Sequence, residues 1–233
     1  MNQISHLGII MDGNRRWAKS QSLIPHQGHG RGAEVFGDTC DWCLENDIAH
    51  LTVYAFSTEN WIRSEDEVSH IFKLLAKYFA DEKETCLNKD IRITVIGERG
   101  RFDKKTLSII EDIEAYTKNC SKLKTQIALS YGGRDEIIRS VKKLFIDVKD
   151  GKINIGQISE ELFASYLDTA GIPDVDFVIR TGGAENRRLS NFLPWQTVYS
   201  ELYFSELLWP EFSRDEFEKA IDYYNSVKRK SGK

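Results

Sequence analysis

The stretch His6-Leu-Gly-Ile-Ile-Met-Asp12, running into Gly13-Asn-Arg-Arg-Trp-Ala-Lys19, decides how the rest of the chain is read. It is an apolar run of strand length that ends in an acid and passes through a glycine into a helical pattern. A continuous apolar run, rather than an alternating one, marks a strand covered on both faces by helices. No basic residue precedes the run and it is too short for an export signal. It reads as a buried strand.

The same rhythm recurs outward from that point. Helical spacing over Gly32 to Asn46 leads to the apolar run Leu51-Thr-Val-Tyr-Ala-Phe56, and a long amphipathic pattern over Glu65 to Leu87 leads to Ile91-Arg-Ile-Thr-Val-Ile96. Asp103 to Asn119 is helical, Thr125 to Tyr131 extended, and Arg134 to Val148 and Ser159 to Ala170 helical, with Ser159 as N-cap and Gly171 as a stop. Val175 to Arg180 and Glu201 to Phe204 read as the last strands, and Arg214 to Lys228 as the final helix. Strands alternating with helices imply an α/β fold, a single domain spanning residues 1–233 with a central, mostly parallel six-stranded sheet flanked by helices. No Ser/Pro-rich linker divides the chain.

Composition removes several classes of function. The 233 residues are 41% hydrophobic and 29% charged, ordinary globular usage. The net charge of −4, from 32 basic and 36 acidic residues, offers no general nucleic-acid face. The longest uncharged stretch, Leu189 to Ser200, is polar and too short to span a membrane. The expectation is a cytoplasmic protein, and its four cysteines are read as free thiols. Cys40 and Cys43 have redox spacing but fall inside an amphipathic helix, which favours two structural thiols one turn apart.

In parallel α/β sheets ligands sit beyond the carboxyl ends of the strands, so the polar residues there carry the function. After the first strand come Asp12, Gly13, Asn14, Arg15, Arg16 and Trp17. The glycine permits a tight turn, the following N–H groups suit an anion, and the arginines add charge-assisted donors. Asp12 would repel a bare phosphate but would hold a Mg²⁺ that the phosphate shares. An aspartate cap with solvated arginines accounts for these residues equally well. After the second strand come Ser57, Thr58, Glu59, Asn60, Trp61, Ile62 and Arg63. After the fifth, Arg180-Thr-Gly-Gly183 leads to Arg187, Arg188 and Ser190, a second anion pocket. Glu201 is a second candidate metal ligand. Two anion pockets, two separated carboxylates and no Walker lysine point to two diphosphates brought together rather than to nucleotide hydrolysis. No Asp-Asp-x-x-Asp clamp is present either.

These motifs together resemble the cis-prenyltransferase (undecaprenyl diphosphate synthase) family. The matches are His6 to Lys19, Gly28-His29, Tyr54 to Trp61 with Arg63, Ser130 to Arg134, Arg180 to Gly183, and Arg188 to Gln196 running into Tyr199 to Phe204 and Leu208-Trp-Pro210. They follow one another from residue 6 to about residue 212. The resemblance implies a Mg²⁺-dependent transferase that condenses isopentenyl diphosphate with an allylic diphosphate, farnesyl diphosphate for preference, to a Z-polyprenyl diphosphate. A medium product such as undecaprenyl diphosphate, a cell-wall lipid carrier, fits the absence of any obvious insertion in the long helix.

By the same resemblance Asp12 carries the metal, joined by Glu201. Gly13 to Arg16, with Trp17 and His29, hold the allylic diphosphate. Arg180, Arg188 and Ser190 bind the isopentenyl diphosphate, while Ser57, Glu59, Asn60, Trp61 and Arg63 lie between the pockets and Asn60 helps position the reacting groups. The product should grow into an apolar tunnel lined by the helix at 65–87 and the strands at 51–56 and 125–129, with Leu123 near its floor and Ala55 near its mouth. A homodimer is implied, with Phe192, Trp195, Tyr199, Tyr203, Phe204 and Trp209 as interface anchors, and peripheral membrane contact is expected for product release. Alternatives are a shorter-chain Z-prenyl diphosphate synthase, a non-catalytic partner subunit of the same fold, and an unrelated phosphate-binding α/β protein.

Three positions depart from the family pattern. Pro25 stands where an arginine is usual, with His26 beside it. The segment from Gly183 to Ser190 is longer, so Glu185 need not fill the usual acid's place. Lys230-Ser231-Gly232 replaces a C-terminal Arg-x-Gly, and lysine lacks the guanidinium fork.

Overall fold

The structure, a computed structural model, describes residues 3–183 and 186–227. The opening run forms strand β1 (His6–Ile10), every residue of which is buried. It lies near the middle of a sheet completed by β2 (His50–Ser57), β3 (Ile91–Ile96), β4 (Leu123–Tyr131), β5 (Phe177–Arg180) and β6 (Glu201–Phe204). The spatial order is β3-β4-β2-β1-β5-β6. Every pairing is parallel, so the expected mostly parallel sheet is wholly so.

Seven helices accompany it: α1 (Asn14–Ser20), α2 (Pro25–Glu45), α3 (Glu65–Asn88), α4 (Lys104–Tyr116), α5 (Gly133–Lys149), α6 (Glu160–Ala164) and α7 (Arg214–Ser226), counted among the described residues. Successive strand residues point to opposite faces. Leu7 and Ile9 pack with Val35, Phe36, Phe79 and Phe217 on one face. Ile10, Ala128 and Val178 pack with Phe192 and Leu193 on the other.

A chain of paired polar groups, His6, Thr52 and Gln126, runs through the buried middle of the sheet. His6 is fully buried, its Nδ1 lies 2.7 Å from the Pro173 carbonyl and its Nε2 2.8 Å from Thr52 Oγ1, whose hydroxyl donates to Gln126. Burial lowers the His6 pKa to about 4, which keeps the ring neutral.

Two helices differ from expectation. α2 begins at Pro25, seven residues before the apolar period starts, because Pro at the first position is preset for a helix. Its first turns use small residues instead of large apolar ones. A Cβ on Gly28 would meet the Asn14 carbonyl at 2.2 Å, and one on Gly32 would meet Asn14 Oδ1 at 2.3 Å. The expected helix from Ser159 to Ala170 stops at Ala164, although Ser159 caps it as expected. Side chains of α5 capture the following backbone: Glu136 accepts from the Asp168 N–H and Ser140 donates to the Tyr166 carbonyl. All four cysteines are free and buried, and burial raises their thiol pKa values. No described helix is long and apolar enough to cross a membrane.

Candidate active site

From β1 the chain moves to β2, β4 and β3 on one side and returns to β5 on the other. Such a reversal leaves a crevice at the carboxyl ends of the two strands where it occurs. The register sets Ile10 opposite Arg180, so Asp12 and Arg180 converge beyond the sheet. Arg180 Nη2 donates to Asp12 Oδ2 at 2.9 Å, and Arg16 Nη2 donates to Asp12 Oδ1 at 3.1 Å. Arg16 Nη1 also donates to the Gly182 carbonyl at 2.6 Å. Gly182 has φ 115, and a Cβ there would lie 2.8 to 2.9 Å from Arg16 and Asp12. Only glycine lets the two strand ends approach this closely.

Arg180 Nη1 donates to Ser190 Oγ at 2.7 Å and also to the Arg188 carbonyl. The stretch that presents Ser190 is held in unusual backbone conformations, with positive φ at Ser190, Asn191 and Leu193. Such conformations cost free energy and persist where surrounding contacts enforce them, often at functional sites. Asn191 supplies those contacts here. Its Oδ1 accepts from the Arg134 N–H, and its Nδ2 donates to Glu59 Oε1 at 3.1 Å, tying the β5 side of the crevice to the β2 side.

The β2 side is the turn Thr58–Ile62, where Ser57 and Asn60 form a reciprocal cap. Arg63 follows and donates to Glu67 at 3.0 Å, and Arg15 approaches the same carboxylate at 3.7 Å. The result is a cleft of about 1140 Å³ in which five cations (Arg15, Arg16, Lys19, Arg63, Arg180) face two carboxylates (Asp12, Glu59). It is an anion site by charge alone.

Several buried polar atoms around it have no partner: Arg180 Nε, His29 Nε2 and Asn14 Oδ1. Unpaired buried groups are expensive, and clusters of them mark sites awaiting a ligand. Burial, reinforced by Arg63, lowers the His29 pKa to about 4, so the ring is neutral. Among the described residues no three His, Cys, Asp or Glu side chains gather as a metal-ligand set. A Mg²⁺ commonly takes one or two carboxylates plus substrate phosphates rather than an all-protein cage. One accessible carboxylate inside an anion cleft fits a Mg²⁺ that arrives with phosphate.

Below the cleft lies a smaller apolar cavity of about 110 Å³, between α2, α3 and strands β2 and β4. Met11, Asn14, His29, Tyr54 and Ala55 line both spaces. A cationic cleft therefore opens directly onto an apolar one.

The cleft gathers Asp12, Gly13, Asn14, Arg15, Arg16, His29, Ser57, Glu59, Asn60, Arg63, Arg180 and Ser190, as the sequence led us to expect. Four expected residues lie elsewhere. Trp17 is half-buried beside the cleft and does not line it, and the exposed Arg188 side chain does not line it either. Trp61 turns away, its Nε1 donating to Ser130 Oγ at 2.9 Å, and lines a separate depression. Glu201 opens β6 opposite Phe177, whereas Arg180 pairs with Phe204. At ~3.3 Å per residue, Glu201 lies roughly 10 Å below the cleft along the strand. The structure does not join Asp12 and Glu201 as ligands of one metal within a protomer.

Leu123 does not line the apolar cavity; Ala55 does. Glu185 and the segment Lys230-Ser231-Gly232 lie outside the described residues. Sequence reading missed Lys19, Tyr54 and Asn191. Asn191 was detectable in principle, since asparagine tolerates positive φ better than most residues.

Comparison with known proteins agrees with this geometry. Residues 10–232 match the prenyltransferase family model described as "Putative undecaprenyl diphosphate synthase". An isoprenyl transferase of Aquifex aeolicus is 43% identical over 98% of this chain and 95% of its own. The fold matches a probable undecaprenyl diphosphate synthase from Campylobacter jejuni (TM-score 0.81, 36% identity, all of both chains). It also matches lavandulyl diphosphate synthase from Lavandula x intermedia in complex with dimethylallyl diphosphate (TM-score 0.93, 29% identity, 97% of each chain). With the cleft, its apolar extension and these similarities in agreement, the chain belongs to the isoprenyl transferase (undecaprenyl diphosphate synthase) family, and it is a transferase of cis-prenyl chain elongation.

Proposed function

We propose that this enzyme condenses isopentenyl diphosphate with an allylic diphosphate, farnesyl diphosphate for preference, and extends it to a Z-polyprenyl diphosphate of undecaprenyl length. The observation that carries this reading is the cationic cleft opening directly onto an apolar cavity through shared walls. A diphosphate head belongs in the first and a hydrocarbon tail in the second.

In this reading Arg15, Arg16 and the backbone of Gly13 to Arg16 hold the allylic diphosphate, with its chain directed past His29 into the cavity. Arg180 and Ser190 hold the isopentenyl diphosphate, with Arg188 reaching in from the exposed loop. Asp12 would hold a Mg²⁺, which supplies neutralisation of the negative charge that builds on the leaving diphosphate. Arg16 does the same work from a fixed position, because its guanidinium is already anchored on Gly182. Asn60 and Arg63 orient the reacting groups between the two heads. The neutral His29 and the apolar wall keep water from the allylic cation.

A shorter product is the second reading, favoured by the small apolar cavity and by the likeness to lavandulyl diphosphate synthase. Chromatography of the labelled product made from farnesyl diphosphate, isopentenyl diphosphate and Mg²⁺ separates the two. A ladder ending at undecaprenyl length supports the first, and a product of one or two condensations supports the second. No condensation, with Mg²⁺ or with EDTA, would reject both. Ala55→Leu should shorten the ladder, since Ala55 borders both spaces.

A symmetric homodimer also belongs to this reading. Phe192 and Trp209 are buried in the protomer's own core, so they are not its anchors. Ile138, Val141 and Phe145 instead form an exposed apolar stripe on α5, and Val198 and Tyr199 are exposed on the segment that follows the one packed against the start of that helix. Light scattering should give twice 26.8 kDa, and Phe145→Glu should halve it. Peripheral membrane contact would use Leu23, Ile24 and Ile62, exposed apolar side chains beside the cleft, and co-sedimentation with lipid vesicles tests it. Such contact would serve product release to a cell-wall lipid pool from the cytoplasmic side.

A further inference from the structure

A second cleft, of about 640 Å³, lies between α3 and α4, and of the residues proposed to act in condensation only Arg63 lines it. One wall is aromatic: Trp61 stacks on Phe72 (ring centroids 5.6 Å apart), and Phe102 meets Phe72 edge to face at 5.4 Å. Because the Trp61 indole N–H is occupied by Ser130, that wall presents ring faces rather than a donor. Lys73, Arg101 and Lys105 stand on the rim, and none of them forms an ion pair among the described residues. The Arg101 guanidinium sits 5.9 Å from the Trp61 ring centroid, a cation–π contact that leaves its N–H groups open. Four cations line the cleft, Arg63, Lys73, Arg101 and Lys105, against two acids, Glu65 and Asp103, and Asp103 also caps α4 through the Thr106 N–H.

We propose that this cleft is a binding site for a small amphipathic anion, with an aromatic or short prenyl body against Trp61, Phe72 and Phe102 and a sulfonate, phosphate or carboxylate head among Lys73, Arg101 and Lys105. Arg63 lines both this cleft and the catalytic one. Its guanidinium is held by Glu67, on the first turns of the same α3 that forms the second wall. An anion in the second cleft draws Arg63 toward itself and weakens its hold on the catalytic side. Occupancy therefore acts as a brake on substrate binding.

The test uses 1-anilinonaphthalene-8-sulfonate as probe, titrated by fluorescence and calorimetry into the full-length protein. The triple variant Lys73→Ala/Arg101→Ala/Lys105→Ala changes exposed cations only and should weaken binding about tenfold or more. Arg16→Ala, in the catalytic cleft, should leave the affinity unchanged. A loss in Arg16→Ala as large as in the triple variant, or no loss in either, overturns the site. In steady-state assays the probe should raise the KM for isopentenyl diphosphate in the unmodified enzyme and not in the triple variant. Binding without that shift overturns the link through Arg63.

Discussion

Two clusters in this molecule are built from the same materials, carboxylates, arginines and an amide, and behave oppositely. Behind the sheet, Glu136 is fully buried. It accepts from the Tyr131 hydroxyl at 2.6 Å, from Gln196 Nε2 at 3.2 Å and from the Asp168 N–H at 2.9 Å. Arg139 closes that cluster with a two-pronged pair to Asp168, at 2.9 and 2.6 Å. Only Gln196 Oε1 is left without a partner there. At the cleft, Asp12 is shared by Arg16 and Arg180, and Arg180 Nε, His29 Nε2 and Asn14 Oδ1 are buried without a partner. A satisfied charged network holds a fold in one arrangement, while an unsatisfied one is held ready for a ligand. Composition does not distinguish the two; the count of unmet hydrogen bonds does.

The sharpest way to break this contrast is Asp12→Ala. It should reduce condensation on the order of 10³-fold or more, by removing the carboxylate that would bind the metal, and leave the chain folded, with some loss of melting temperature because the buried Arg180 loses its carboxylate partner. Near-normal turnover of a folded variant in saturating Mg²⁺ would defeat the assignment. Glu136→Ala should do the reverse. It strands the Tyr131 hydroxyl and the Asp168 N–H and should cost about 2–4 kcal/mol of stability in chemical denaturation. The activity of the molecules that remain folded should be kept. A stable but inactive Glu136→Ala enzyme would mean that the rear cluster takes part in the reaction.

Acid acts on the sheet and on the cleft in the same direction, since burial lowers the pKa of both His6 and His29 to about 4. His6 titrates near 6.5 when unfolded and at about 4 when folded. The unfolded chain therefore binds more protons between those values, and stability falls as pH drops from about 6.5 to about 4. The contribution is about 3 kcal/mol at most, at ~1.4 kcal/mol per unit. A variant with His6→Asn should show a flatter acid limb in urea unfolding, and an unchanged limb would place the titration elsewhere. The smallest effect is expected from Arg188→Ala, about tenfold in the KM for isopentenyl diphosphate with kcat little changed, because its contact would be to a diphosphate that is not broken. A change confined to the allylic substrate would reverse the assignment of the two pockets.

The alternation of elements was readable because each strand buries both faces and each long helix buries one, which imprints distinct periods on the chain. Asp12 and Arg180 were readable because both stand at strand ends, where a polar residue interrupts an apolar run. The first two turns of α2 were hidden, since Gly28 and Gly32 pack by being small and leave no apolar period. The early end of α6 was hidden as well, because it depends on Glu136 and Ser140 competing for its backbone from another helix.

The sequence by itself therefore determined the strands, the long helices, and the chemistry available at each strand end. Tertiary structure alone decided which of those ends meet. Trp61 and Glu201 stand in motifs as clear as that of Asp12, yet one faces a different cleft and the other lies at the opposite end of the sheet. The reason is register: a motif specifies a residue's neighbours along the chain, whereas strand pairing and the reversal of strand order at β1 and β5 specify its neighbours in space.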